Sequence, residues 1–364
     1  MQRKKIPFQV SRNDTRTLVR QVTDGLRQLV LDGFYSPGDT LPPYDELSRS
    51  LGVSQIVTRA AVRTLSDEGL VVVRPRLGTI VRDCGEKQWR GHVVFVYDAR
   101  NIGYFQTSMA ETLRRRLNEA GYLFTRASAS FNHETGKSDF SLLDAALSKS
   151  VDLVLAMTSW RELPGRLKRA DVPFAYISTG GAYAFGEGTT RFNRTGALRD
   201  MAEACRAAGI RKAVAMHCYR LSSLAKKAFT AAGIAVERKV FGTVERDGDY
   251  SEIERAGLFG FRRMIESGAI DKDTIYYFED DYLARGALMA MALAGLHAPE
   301  DIRVATLANA GFLPAYDRNL TRVEIDPVEA GNAAADDALA FLKTGRYPDG
   351  NSVGYRFVQG STFN

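Results

Sequence analysis

Gln55, Arg59 and Arg63 recur at every fourth position, and on an α-helix that spacing stacks an amide and two guanidiniums along one face. Glutamine can pair with the edge of adenine, and arginine can read guanine or clamp a phosphate, so this face has the chemistry a DNA major groove demands. Val57, Ala61 and Leu65 repeat the spacing two residues later, roughly 200° round the axis, and form the stripe expected to be buried. The same periodicity also suits a solvated amphipathic helix. A second set of groups ends a series of β-rich runs: Asp98 and Asn101 with Tyr104 and Phe105, then Ser159 and Trp160, Tyr219 and Arg220, Glu279-Asp280-Asp281, and Asn309. Hydroxyl-fixing polar groups beside aromatic faces suit a sugar or similarly polar small molecule, although polar residues end strands in most α/β proteins.

Other chemistry finds less support. The acidic run 279–281 could hold a metal or do acid/base work, but consecutive residues at a strand end point in different directions. Ser223 and Lys226 make a Ser-x-x-Lys string without its partner motifs, and His92, His133, His217 and His297 lack metal-ligand spacing. Walker-type phosphate loops and Gly-x-Ser-x-Gly elbows are absent from the sequence. The expectation is a protein with no catalytic residue, no metal and no cofactor.

The elements that must position the first set occupy residues 1–82. Leu18, Val22, Leu26, Leu29 and Val30 mark one helix ending at Gly33. Turn chemistry at 35–39 leads to a short helix from Tyr44 to Leu51, stopped by Gly52, and Ser54 caps a third helix running to Glu68. Leu70 to Arg74 and Thr79 to Arg82 then read as two strands joined at Pro75-Arg76-Leu77-Gly78. Three helices and a basic hairpin make a winged helix-turn-helix, which favours the groove-reading interpretation of the third helix. Charge agrees: residues 1–90 carry 15 Lys/Arg against 10 Asp/Glu, whereas the remaining 274 carry 34 against 33. A small basic module that meets a polyanion is joined to a nearly neutral body.

This segment resembles the DNA-binding domain of GntR-type bacterial regulators through Gly33, Pro37-Gly38, Leu41-Pro42, Glu46-Leu47, Gly52-Val53-Ser54, Arg59, Leu65, Glu68-Gly69-Leu70 and Gly78-Thr79. The resemblance implies operator contacts from Ser54, position 55, Arg59 and the wing. The candidate DNA-binding residues are Ser54, Gln55, Thr58, Arg59, Arg63, Arg74, Arg76 and Gly78. Three positions depart from the family pattern: Gln55 and Asp45 stand where arginine is usual, and Arg76 takes a wing glycine's place.

After a polar linker at 83–90 the pattern becomes alternating strand and helix, and it starts again near Arg211. Two βα runs of similar length imply two doubly wound lobes, with ligands in the cleft at the carboxyl ends of the strands. The body is similar to the effector-binding half of LacI/GalR-type repressors, which has the type I periplasmic-binding-protein fold. Matching positions are Asp281, Ala284, Gly286-Ala287, Gly295-Leu296, Pro299, Asp301-Ile302, Val304, Leu320-Thr321, Asp326 and Gly331. In that family the Asp at 281 commonly binds effector hydroxyls, and an aromatic pair here represented by Tyr104 and Phe105 lines the pocket. The family's Asn before that Asp is Asp280, its Gly-aromatic-Asp is Thr306-Leu307-Ala308, and the arginine often found between 221 and 229 is absent, leaving Lys226 or Lys227 to substitute.

The expected architecture is therefore a winged helix-turn-helix over 1–82, a linker over 83–90, and a two-lobed α/β body over 91–364. The lobes are expected at 91–195 plus 320–364, and at 196–319. The candidate effector-binding residues are Asn101, Tyr104, Phe105, Ser159, Trp160, Tyr219, Arg220, Asp281 and Asn309. The resemblances imply a homodimeric transcription regulator of carbohydrate genes, similar in arrangement to arabinose-responsive repressors, with double-stranded operator DNA and a sugar-like effector as partners. A constitutive DNA-binding protein with a degenerate pocket, or a sugar-active enzyme or sugar-binding protein, are the alternatives. No run approaches the roughly 18 apolar residues of a membrane span, the N-terminus lacks a signal-peptide core, and the three cysteines are widely spaced, so a cytoplasmic protein with reduced thiols and no membrane partner is expected.

Overall fold

The computed structural model describes residues 6–83, 89–99, 102–132, 135, 137–157, 160–178, 190–218, 224–241 and 250–363. The head contains α1 (Leu18–Leu31), α2 (Tyr44–Leu51), α3 (Gln55–Asp67) and an antiparallel pair, β1 (Val71–Arg74) and β2 (Gly78–Val81). Its boundaries are set locally. The Thr17 side chain accepts from Arg20 N to start α1, Gly52 in the left-handed region (φ 65°) ends α2, and Ser54 caps α3. Val22, Leu26, Leu47, Ala61, Val62, Leu65 and Val81 close the small core.

The buried stripe of α3 is turned from the one the spacing suggests. Thr58, Ala61, Val62 and Leu65 face inward, while Val57 is only half-buried. Thr58 is completely buried, and its hydroxyl donates to Gln55 O (3.1 Å) and lies 3.3 Å from Ser48 Oγ in α2. Its place among the candidate DNA contacts is corrected accordingly: it joins α2 to α3.

The first lobe is a seven-stranded sheet built from β3 (Gly91–Asp98), β4 (Tyr122–Asn132), β5 (Lys137–Asp139), β6 (Leu153–Ala156), β7 (Phe174–Ser178), β8 (Thr190–Asn193) and β14 (Ser352–Gly354), in the order β14-β8-β7-β6-β3-β4-β5. All its pairs are parallel except β4 with β5. The run HVVFV in β3 is buried throughout, and apolar after His92, because helices cover both faces. On one side α4 (Tyr104–Glu119) and α11 (Pro327–Thr344) supply Met109, Leu113, Ala330, Ala334 and Phe341; on the other α5 (Ser141–Leu147) and α6 (Leu163–Arg169) supply Leu143, Leu163 and Leu167.

The second lobe is a six-stranded sheet of β9 (Lys212–His217), β10 (Ala235–Val240), β11 (Thr274–Phe278), β12 (Arg303–Asn309), β13 (Thr321–Ile325) and β15 (Arg356–Val358), ordered β10-β9-β11-β12-β13-β15. Helices α7 (Thr195–Ala207) and α8 (Leu224–Ala231) cover one face, and α9 (Tyr250–Glu266) and α10 (Asp281–Ala294) the other. The last pair cross at backbone contact: a Cβ on Gly286 would lie 1.9 Å from Glu254 O, and one on Gly257 would lie 2.2 Å from Leu283 O.

The chain passes between lobes at 193–195, 325–327 and 354–356. The expectation that 320–364 lies wholly in the first lobe is therefore corrected. Strands β13 and β15 hydrogen-bond within the second sheet, and only α11 and β14 return to the first.

Candidate nucleic-acid interface and interlobe cleft

On the head, Gln55, Arg59 and Arg63 are all exposed along α3, as the spacing requires. Ser54 sits in extended backbone, and its Oγ takes Val57 N at 3.4 Å, so its first duty is to hold the helix start. The Arg59 guanidinium lies 5.6 Å from the centre of the Tyr44 ring, a cation–π contact that ties the face to α2. On the wing, Arg74 pairs in register with Gly78, and the three residues between them carry an exposed Arg76 at φ 67°. Such backbone favours glycine, the residue usual there in the family. Gly38 N, Leu41 N and Asp39 O bond to Val81 O, Thr79 O and Val81 N at 2.8–2.9 Å, which fixes the hairpin against the head. Asp45, where the family has arginine, is engaged by Arg49 (2.9 Å) on the surface of α2.

In the body, β11 and β12 deliver the acidic and amide groups to one edge. Asp280 is the N-cap of α10, accepting from Tyr282 N at 2.9 Å and Leu283 N at 3.1 Å. Burial, and then the neighbouring Asp281, push its carboxyl up to about 7. Asp281 is buried, and its Oδ2 accepts from Asn309 Nδ2 at 3.0 Å; burial raises its pKa and that hydrogen bond opposes the rise.

Four rings from the two lobes gather beside this pair. Tyr104 stacks on Phe312 (4.7 Å, 21°), and its backbone N lies 3.5 Å from Tyr282 Oη. Tyr250 packs on Tyr282 at 4.3 Å and donates to Gln106 Oε1. Gly311 is at φ 83°, and a Cβ there would meet Tyr104 Oη at 2.7 Å, so the close approach needs glycine. Deeper toward the hinge, Glu279 Oε2 lies 3.4 Å from both Arg194 Nη2 and His217 Nδ1. Among the described residues Glu279 Oε1, His217 Nε2 and Tyr277 Oη have no hydrogen-bond partner. The edge therefore presents carboxylate acceptors, an amide and flat apolar rings, a set able to hold a small polyhydroxylated molecule.

Of the candidate effector residues, the fold brings Tyr104, Asp281 and Asn309 into one neighbourhood. Two are corrected. Phe105 points into the core beneath α4 and α11, edge-on to Phe192 (5.4 Å, 84°), and Trp160 is buried on the opposite face of the same sheet against Phe140 (5.7 Å, 76°). Asn101, Ser159, Tyr219 and Arg220 lie outside the described residues. Sequence reasoning missed Tyr250, Tyr282, Phe312 and Arg194; adjacency to Asp281 could have suggested Tyr282, whereas the others are recruited only by the fold. Thr306-Leu307-Ala308 runs within β12, with Ala308 buried, so no carboxylate takes the family's place there.

Residues 18–81 match the bacterial regulatory proteins of the gntR family. The head is a gntR-family domain. The chain is also 45% identical over 60 residues to an uncharacterized HTH-type transcriptional regulator, YieP, of Escherichia coli (strain K12), covering 16% of this chain and 26% of that protein. The curated relatives are thus matched over little more than a quarter of their own length. Behind the gntR-type head, residues 197–363 match the periplasmic binding protein-like domain. Solved structures agree on the body's fold. A LacI family regulator from Bifidobacterium animalis subsp. lactis superposes with a TM-score of 0.58 at 14% identity, over 75% of this chain and 97% of that one. A LacI family regulator from Arthrobacter sp. FB24, in complex with lactose, gives the same TM-score and identity over 75% and 98%. The gntR-type head is therefore carried on a body with the LacI-type fold.

Proposed function

We propose that this chain is a transcription regulator whose gntR-type head binds double-stranded operator DNA and whose body takes a sugar-like effector between its lobes, most simply as a cytoplasmic repressor of carbohydrate genes released by that effector. The observation that carries the reading is the pairing of two chemistries in one chain. Exposed Gln55, Arg59, Arg63, Arg74 and Arg76 line the head, and the buried Asp281, bonded to a half-buried Asn309, lies beside a cluster of tyrosines where the lobes meet. The lactose held by one LacI-type relative supports the sugar class. On α3, Gln55 and Arg59 would read base edges, Arg63 would meet phosphate, and Arg74 and Arg76 would touch the flanking backbone or minor groove.

A homodimer is part of the proposal, because one recognition helix reads one half-site. The surface of α10 supports it: Met289 (51% exposed) and Leu293 (74%) lie one turn apart, and Phe259 of α9 is 49% exposed. No helix among the described residues is long and apolar enough to cross a membrane. The body is tested by Asp281→Ala: calorimetry against a panel of neutral mono- and disaccharides should give heat with the natural chain and none with the variant, at unchanged DNA affinity. Undiminished binding by the variant sinks the cleft assignment. The missing carboxylate at Ala308 favours a second reading, constitutive DNA binding with a degenerate pocket, in which no sugar shifts the melting temperature.

A further inference from the structure

We propose that Asp152, a residue of the sensor body, is a positioning residue that clamps the head onto the first lobe and thereby sets the half-site spacing the dimer accepts. Asp152 immediately precedes β6, and its carboxylate is buried. One oxygen accepts from His92 N at 2.6 Å, at the start of β3; the other lies 3.1 Å from Arg20 Nη2 and 3.5 Å from Arg27 Nη1, both on α1 of the head. Arg20 also donates to Val151 O and Asp171 O. Arg27 in turn grips Glu68 with two bonds, 2.7 and 3.0 Å. Glu68 is the C-cap of α3. An unbroken charged chain therefore runs from the end of the recognition helix to the first sheet, at the strand ends opposite the cleft.

The rest of the contact explains why this clamp decides orientation. An open cleft of about 1160 Å³ separates head and body, lined by Gly25 and Gln28 on one side and Ala120, Tyr122 and Leu342 on the other. A junction that opens to solvent in this way has little packed apolar surface to resist rotation, so point contacts must do so. Two further ties, Thr15 Oγ1 to Gly345 O (2.9 Å) and Arg90 to Asp32 (3.2 Å), flank the same cleft. The clamp grips the first lobe alone. By length the eight residues 83–90 could let a free head wander by up to about 28 Å. Each base pair inserted between half-sites turns one of them by about 35° about the duplex, which a free head can follow and a clamped one cannot.

The proposal rests on the dimeric DNA-binding reading above. The full-length chain is first used to select a half-site from random duplexes, then offered that half-site pair at every spacer length across one helical turn. The natural chain and Asp152→Glu should prefer one spacing by about tenfold over spacings two base pairs away. Asp152→Asn, which keeps an acceptor for His92 N, and Arg20→Ala, which leaves the body untouched, should accept several spacings within about threefold while selecting the same half-site sequence. A general loss of affinity at unchanged spacing preference would mean a merely structural role and overturn the proposal. If Asp152→Asn fails to fold, Arg20→Ala carries the test alone. A natural chain that enriches no DNA refutes the DNA-binding reading instead. The clamp is then judged by spin-label distances between Arg63→Cys on the head and Leu142→Cys on the first lobe. A narrow distribution that stays narrow in Arg20→Ala would overturn it.

Discussion

Replacing Asp280 by asparagine should stabilise the second lobe, and should do so only above acid pH. The carboxylate caps α10 with two backbone bonds, from Tyr282 N and Leu283 N, and asparagine can accept both through its amide oxygen. What asparagine lacks is the charge, which burial and Asp281 disfavour so strongly that the folded-state pKa rises from 3.8 to about 7. In the unfolded chain the group ionises near its ordinary value. Between pH 4 and 7 the folded state therefore holds a proton that the unfolded state has released, and stability declines as pH rises through that window. At about 1.36 kcal/mol per unit the ceiling is about 4 kcal/mol. Part of the residue's surface stays open to water, so about 2 kcal/mol is expected at pH 8, and less than about 0.5 kcal/mol at pH 4. Urea unfolding of both proteins at several pH values, with hydrogen exchange of the α10 amides to assign the transition to the second lobe, measures the difference. A variant weaker than the natural chain at pH 8, or a gain independent of pH, would refute the reasoning. The substitution also restores the asparagine usual at this position in LacI/GalR-type proteins.

Arg59→Ala should weaken selected-DNA binding by about 1–3 kcal/mol at fixed salt, read by gel shift; unchanged binding removes α3 from the groove. Thr58→Ala should instead lower the thermal stability of the head by about 1–2 kcal/mol while leaving the selected half-site sequence intact, because its hydroxyl is buried between α2 and α3. Leu293→Asp should shift sedimentation from dimer toward monomer, since a carboxylate in a buried apolar face is costly to desolvate; a dimer that persists places the interface elsewhere.

Most of the head was legible because its signals are short-range. Ser54 caps α3, Gly52 ends α2 in the left-handed region, and both act within a few residues of where they stand. The rotation of α3 was not legible. Spacing defines a stripe at Val57, Ala61 and Leu65, but contact with α2 decides that Thr58 and Val62 turn inward instead. In the body, the alternation of strands and helices follows from apolar runs such as that of β3, whereas the fate of single aromatic rings does not. Phe105 and Trp160 are as suitable for a pocket as Tyr104 by type, and only packing against Phe192 and Phe140 commits them to the core.

By itself the sequence determined the two modules, the basic face of α3 and the acidic and amide groups at the ends of β11 and β12. Periodicity, capping and charge are properties of neighbouring residues, so they need no fold to be seen. The tertiary structure alone decided which of these groups meet. It set Tyr104 against Phe312 across the lobes, split the C-terminal segment between two sheets, and joined Arg27 of the head to Asp152 of the body. The physical reason is that such contacts form between residues far apart in the chain, where burial and close packing, rather than local preference, select the partner.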